Sequence, residues 1–134
     1  MADLHKAQDP AGSWFTVAPS INRTATDWWD FDTAYDGSPN AQSLFVIIDC
    51  TVDAEAASVV FKIQGVDPIS GKTWDILTSA AVAAVGTVVL RVSPHITAAA
   101  NTIAKDIVPA RVRILATAAD GDDLTYSIGA QLVA

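Results

Sequence analysis

Apolar side chains recur at every second position through much of the chain. Val59, Phe61 and Ile63 alternate with Val60, Lys62 and Gln64 until the turn-forming stretch Gly65-Val66-Asp67-Pro68-Ile69-Ser70-Gly71-Lys72. Trp74 and Ile76 resume the period, and Val88, Leu90 and Val92 follow Gly86. Alternate side chains of a pleated strand face opposite sides, so this pattern predicts short antiparallel strands with one buried face. An earlier run differs. Leu44, Val46, Ile48 and Cys50 share one face, while Phe45 and Ile47 occupy the other, which predicts a central strand covered on both sides. Val112, Ile114 and Ala116 oppose Arg111 and Arg113, and Leu124, Tyr126, Ile128, Ala130 and Leu132 form the last alternating run.

The punctuation between these runs sharpens the picture. Asp67 to Gly71 fits a type I turn followed by a left-handed glycine, a common hairpin closure. Asp120-Gly121 between two alternating runs predicts a second hairpin. From Pro94 to Pro109, Ile96, Ala100, Ile103 and Ile107 recur every three or four residues, as on one face of a short helix. Thr97 and Asn101 are weak helix formers, so an ordered crossover is the alternative. Before residue 40 the apolar residues come in bursts, Trp14-Phe15 and Trp28-Trp29, between Pro10, Pro19 and Pro39. Short strands fit around residues 13–17 and 24–31, and an extended arm that pairs or docks elsewhere describes the segment better.

About seven or eight short strands, with turns every 8–12 residues or so, predict an all-β fold: an antiparallel β-sandwich, Ig-like or jelly-roll-like. A small barrel is the alternative architecture. The expected organisation is an extended N-terminal arm over residues 1–40 and a sandwich domain over residues 41–134. Deleting the first 38 or so residues should then leave a folded domain with weakened partner binding.

Composition bounds the function. A chain of 134 residues fits one domain able to bury about two thirds of its unfolded surface without staples. A net charge of -7 with eight scattered basic residues argues against nucleic acid. The longest uncharged run, Ile76 to Leu90, falls short of the roughly 20 residues of a membrane helix, and Met1 to Lys6 lacks the apolar core of a signal peptide. A hydrophobic content of 51% against 17% charged residues leaves more apolar surface than a lone domain readily hides, which predicts burial by a partner.

The inventory of reactive groups is sparse. Cys50, the single cysteine, sits in an apolar run and reads as a small buried hydrophobe. His5 and His95 are the only histidines and are too far apart for a local metal pair, and no HExxH, CxxC or phosphate-cradling glycine loop occurs. Asp30, Asp32 and Asp36, and separately Asp120, Asp122 and Asp123, offer oxygen ligands without EF-hand spacing and read as turn residues. No catalytic, cofactor or metal residue is assigned. Trp14, Trp28, Trp29, Phe31 and Tyr35 concentrate in the first 40 residues and are the candidate partner-binding residues, since aromatics are enriched in interface cores and sugar-stacking platforms.

Several segments carry a resemblance: Ile63-Gln64-Gly65-Val66-Asp67-Pro68-Ile69-Ser70-Gly71-Lys72-Thr73-Trp74; Gly86 with Leu90-Arg91-Val92 and Pro94; Val108-Pro109 with Arg113; and Leu124-Thr125-Tyr126-Ser127-Ile128-Gly129-Ala130. Together they resemble a family of small virion structural proteins of tailed bacteriophages, over residues 43–134. The resemblance implies a non-enzymatic capsid decoration or cement protein, made in the host cytoplasm and residing in the virion. Its implied partners are the major capsid protein and copies of itself, in a homo-oligomer or symmetric assembly. A tail-associated protein is one competitor. Another is a receptor- or carbohydrate-binding sandwich using Trp28, Trp29 or Trp74.

Overall fold

The computed structural model describes residues 14–33, 42–53 and 56–133. Nine strands form among them: β1 (Trp14–Arg23), β2 (Asp27–Asp32), β3 (Ser43–Val52), β4 (Val59–Val66), β5 (Thr73–Thr78), β6 (Gly86–Val92), β7 (Ile103–Ala104), β8 (Arg111–Ala118) and β9 (Leu124–Val133). A five-stranded sheet runs β1-β9-β3-β6-β7 and a four-stranded sheet runs β2-β8-β4-β5. All pairings are antiparallel except the two-residue β6–β7 contact. The chain is an all-β sandwich.

The ladders are nested. β4 pairs with β5, β3 with β6, β2 with β8 and β1 with β9, so one long antiparallel ribbon is wound into two facing sheets. That is jelly-roll order rather than the order of an immunoglobulin domain. Alternation drives it, because each long strand sends every second side chain into a shared core. Leu44, Val46, Ile48 and Leu90 meet Phe61, Ile63, Val112 and Ile114 there, all at most 1% exposed.

Within the span expected to be an arm, residues 14–33 supply an edge strand to each sheet. β1 crosses from the five-stranded sheet to the four-stranded one through Thr24-Ala25-Thr26, and Phe15, Val17, Trp29 and Phe31 pack against the core. The ladder of β1 slips between Thr16 and Ala18 and again before Ile21, around Pro19. Irregular pairing and Asp27, Asp30 and Asp32 on β2 blunt edges that would otherwise template aggregation.

Of the two expected hairpins, one forms. Gly71 takes φ 76°, its N–H donates to the Asp67 carbonyl at 2.8 Å, and the Asp67 N–H donates to the Lys72 carbonyl at 2.8 Å. The Asp120-Gly121 turn instead carries the chain between sheets, since β8 lies between β2 and β4 while β9 lies between β1 and β3. Turn chemistry alone does not say in which layer the chain continues. The 94–109 segment is the crossover, with no helix. Asn101 adopts the left-handed conformation at φ 65°, which interrupts a helix, and its Nδ2 donates to the Thr78 carbonyl at 3.0 Å. A register shift after Ile63 makes Leu77 rather than Ile76 the buried residue of β5.

Candidate functional site

The two outer faces of the sandwich differ in chemistry. On the five-stranded sheet, cross-strand register aligns Trp14, Gln131, Phe45, Arg91 and Ile103 in one row. Thr16, Gly129, Ile47 and Val89 form the next. Phe45, Ile47 and Val89 are half-buried by neighbours on the same sheet, with Arg91 over the Phe45 ring at 5.4 Å. Among the described residues the one atom a Cβ at Gly129 would approach is the Phe15 carbonyl oxygen, at 3.9 Å. A shallow apolar trough therefore runs past Gly129. The expected second cover of β3 is absent among the described residues, although its inner face is buried as the alternation requires.

The four-stranded sheet presents a polar outer face. Asp30, Arg113, Gln64 and Asp75 form a row across all four strands. Arg113 grips Asp30 through Nε at 2.7 Å and Nη2 at 3.0 Å, and its guanidinium lies 4.0 Å from the centre of the Trp28 ring. The Asp30 carboxylate raises the pKa of Arg113. Gln64 Nε2 donates to Asp75 Oδ1 at 2.7 Å and Lys62 Nζ to Oδ2 at 3.2 Å, and these bonds hold the Asp75 carboxyl below its ordinary range. Arg111 pairs with Asp32 at 2.9 Å.

The five aromatic residues singled out in the sequence do not share a surface. Trp14 stands at the edge of the five-stranded sheet and Trp28 on the outer face of the four-stranded one, 57% and 51% exposed. Trp29 and Phe31 point inward. Phe31 meets Phe15 edge-on at 5.1 Å, and Trp29 meets the buried Tyr126 at 6.5 Å, beside Phe61. Tyr35 lies outside the described residues. Adjacent positions on a strand face opposite sides, so Trp28 and Trp29 had to divide between surface and core. The Asp30–Arg113–Gln64–Asp75 row was missed because it depends on the register of four strands distant in sequence.

The remaining candidates serve local structure. Cys50 is buried, and burial, with Asp53 adding to it, pushes its thiol pKa up. His95 Nε2 lies 2.6 Å from Gln42 Oε1, and His5 and Asp36 lie outside the described residues. Asp120 Oδ1 accepts from the Asp122 N–H at 2.9 Å, and Asp123 Oδ2 from Asn22 Nδ2 at 3.2 Å. No group of three or more His, Cys, Asp or Glu among the described residues is placed to hold a metal ion. The described residues include no helix long and apolar enough to cross a membrane. No protein-family model matches the chain, and no curated protein matches it significantly.

Proposed function

We propose that this chain is a non-enzymatic structural protein of a tailed-phage virion, a decoration or cement protein that binds the head surface and stabilises junctions between capsid subunits. The outer face of the five-stranded sheet carries this reading. Among the described residues its Phe45–Ile47–Val89 centre has no covering layer, and the charged residues in register with it are Arg91 at one end and Asp49, which accepts from Thr87 Oγ1 at 3.2 Å, at the other. A flat, rigid sheet with an apolar centre and polar rim suits docking on another folded subunit. Burying it is worth about 25 cal/mol per Å² of apolar surface before association costs are subtracted. Repetition over a symmetric shell multiplies the remainder.

The segments resembling small phage virion proteins point the same way. A jelly roll is compatible with a capsid component, though the fold alone names no function. The test is sedimentation of the purified chain with virions and empty heads from its source, followed by imaging of the particles. The chain should pellet with heads, and Thr16→Arg, at an exposed position on the trough's edge, should leave it in the supernatant with an unchanged melting temperature, as should Ile47→Asp in a chain that stays folded. Pelleting with tails alone, or binding indifferent to both variants, would count against this reading.

A further inference from the structure

We propose that the outer face of the four-stranded sheet binds an uncharged carbohydrate chain, with Trp28 as the stacking platform and the Asp30 and Asp75 carboxylates, held by Arg113 and by the buried Gln64, as its hydrogen-bonding partners. This inference does not rest on the virion reading, because the two surfaces lie on opposite sides of the sandwich and can be occupied together.

The indole comes first. Trp28 is 51% exposed on an edge strand, and the Arg113 guanidinium covers one face of its ring at 4.0 Å. Among the described residues β2 has β8 on one side and no strand on the other, and Trp28 stays half exposed beside Arg113, which leaves ring surface for a ligand. An aromatic ring clamped on one side and open on the other is ordered before any ligand arrives, which lowers the entropic cost of stacking.

The polar row supplies what sugar hydroxyls need. Its groups are planar, with carboxylate, guanidinium, carboxamide and carboxylate following one another across strands spaced by about 4.8 Å. Gln64 is buried beneath this row and orients Asp75, so the carboxylates of Asp30 and Asp75, on opposite edge strands, are the groups a sugar hydroxyl meets. Each carboxylate oxygen of Asp30 and Asp75 already accepts one bond and retains a second lone pair for a hydroxyl. Partners on neighbouring strands fix their orientation, so the site rests on rigid elements.

Charge selects the ligand class. Lys62, Arg111 and Arg113 balance Asp30, Asp32 and Asp75 on this face, although the whole chain carries -7. A locally neutral surface attracts neither polyanions nor polycations by long-range field, whereas a neutral polyhydroxylated chain requires none.

The test uses the full-length chain in native affinity gels containing hydroxyethyl cellulose, xylan, mixed-linkage β-glucan, galactomannan or dextran, with a microarray of neutral and charged glycans alongside. At least one neutral glycan should retard the protein, with retention insensitive to added salt. Trp28→Ala and Asp75→Ala, both at exposed positions, should each weaken retention tenfold or more in a chain that stays folded, Asp75→Ala with a small fall in melting temperature because it frees Gln64 and Lys62. Trp74→Ala and Ile47→Asp should leave it unchanged. Absence of binding to every neutral glycan, binding untouched by Trp28→Ala and Asp75→Ala, or binding confined to charged glycans and lost in salt would each overturn the inference. Because Ile47→Asp alters only the opposite face, failure of head docking is distinguishable from failure of glycan binding.

Discussion

The indole of Trp74 lies over Gly65, its cross-strand partner, so closely that a Cβ at position 65 would stand 2.1 Å from Cζ2 and 2.3 Å from Cε2. Only a glycine permits that approach. Gly65→Ala must push the half-exposed ring off the sheet, at a cost of about 1–3 kcal/mol. Alanine should be tolerated at position 65 once Trp74→Ala has removed the ring. Urea unfolding of the two single variants and the double variant gives the coupling directly, and additive losses would contradict the contact.

Tyr126 should set an alkaline limit on stability. Its ring is buried against Phe61 and Trp29, and burial drives its pKa up to about 12, with the Arg23 cation opposing and Asp27 adding to the rise. The phenol of an unfolded chain ionises near 10 or so, so the stabilisation is complete below that pH and fades as pH climbs through the folded value. The loss should be on the order of 2 kcal/mol. Melting curves across this range should slope less in Tyr126→Phe, and parallel slopes would refute the assignment.

Acid acts through carboxylates of the β4–β5 hairpin. The Asp67 carboxyl is lowered by the backbone N–H of Ile69, at 2.9 Å, and then by the Ser70 hydroxyl, at 2.8 Å, while Asp75 is lowered by Gln64 and Lys62. A depressed folded pKa contributes stability above the unfolded value of about 3.9, and that contribution is lost as pH falls through the folded value. Asp75→Asn should therefore flatten the acid limb of the stability curve. Both groups are largely exposed, so solvent screening keeps the effect small.

Removing residues 1–33 should do more than weaken partner binding. The deletion strips β1 from β9 and β2 from β8, leaving an open ladder edge on each sheet. The truncated chain should aggregate or elute as oligomers in gel filtration. A monodisperse, fully folded monomer would show that the two edge strands are dispensable.

The sequence pattern located strands where alternation was uninterrupted. Leu44 to Cys50, Val59 to Ile63, Val112 to Ala116 and Leu124 to Leu132 are strand residues with their predicted inward faces buried. The Asp67–Gly71 hairpin was legible because its closure involves only neighbours. β1 was harder to read because its ladder slips twice around Pro19, which breaks the period. The apolar spacing of 94–109 mimicked a helix although it marks no buried face: Ala100 and Ile107 are exposed, and the residues that reach the sandwich are Ala104 and Val108, outside the stripe. The outer faces were least legible. Arg113 was visible as the polar side of a strand, yet its Asp30 and Trp28 partners come from a strand 80-odd residues earlier whose register no local signal fixes.

The nested ladders also govern when the chain can fold. β8 and β9 are interior strands, β8 between β2 and β4 and β9 between β1 and β3, yet both follow all their partners along the chain. Until they leave the ribosome, neither sheet is continuous and most apolar faces made earlier lack a partner. The β4–β5 hairpin can close early, but the rest must wait for long-range pairing, which places folding in the millisecond-to-second range or so typical of non-local β topologies. A chain waiting in this way exposes unpaired strands, so aggregation competes with folding until β8 and β9 are in place.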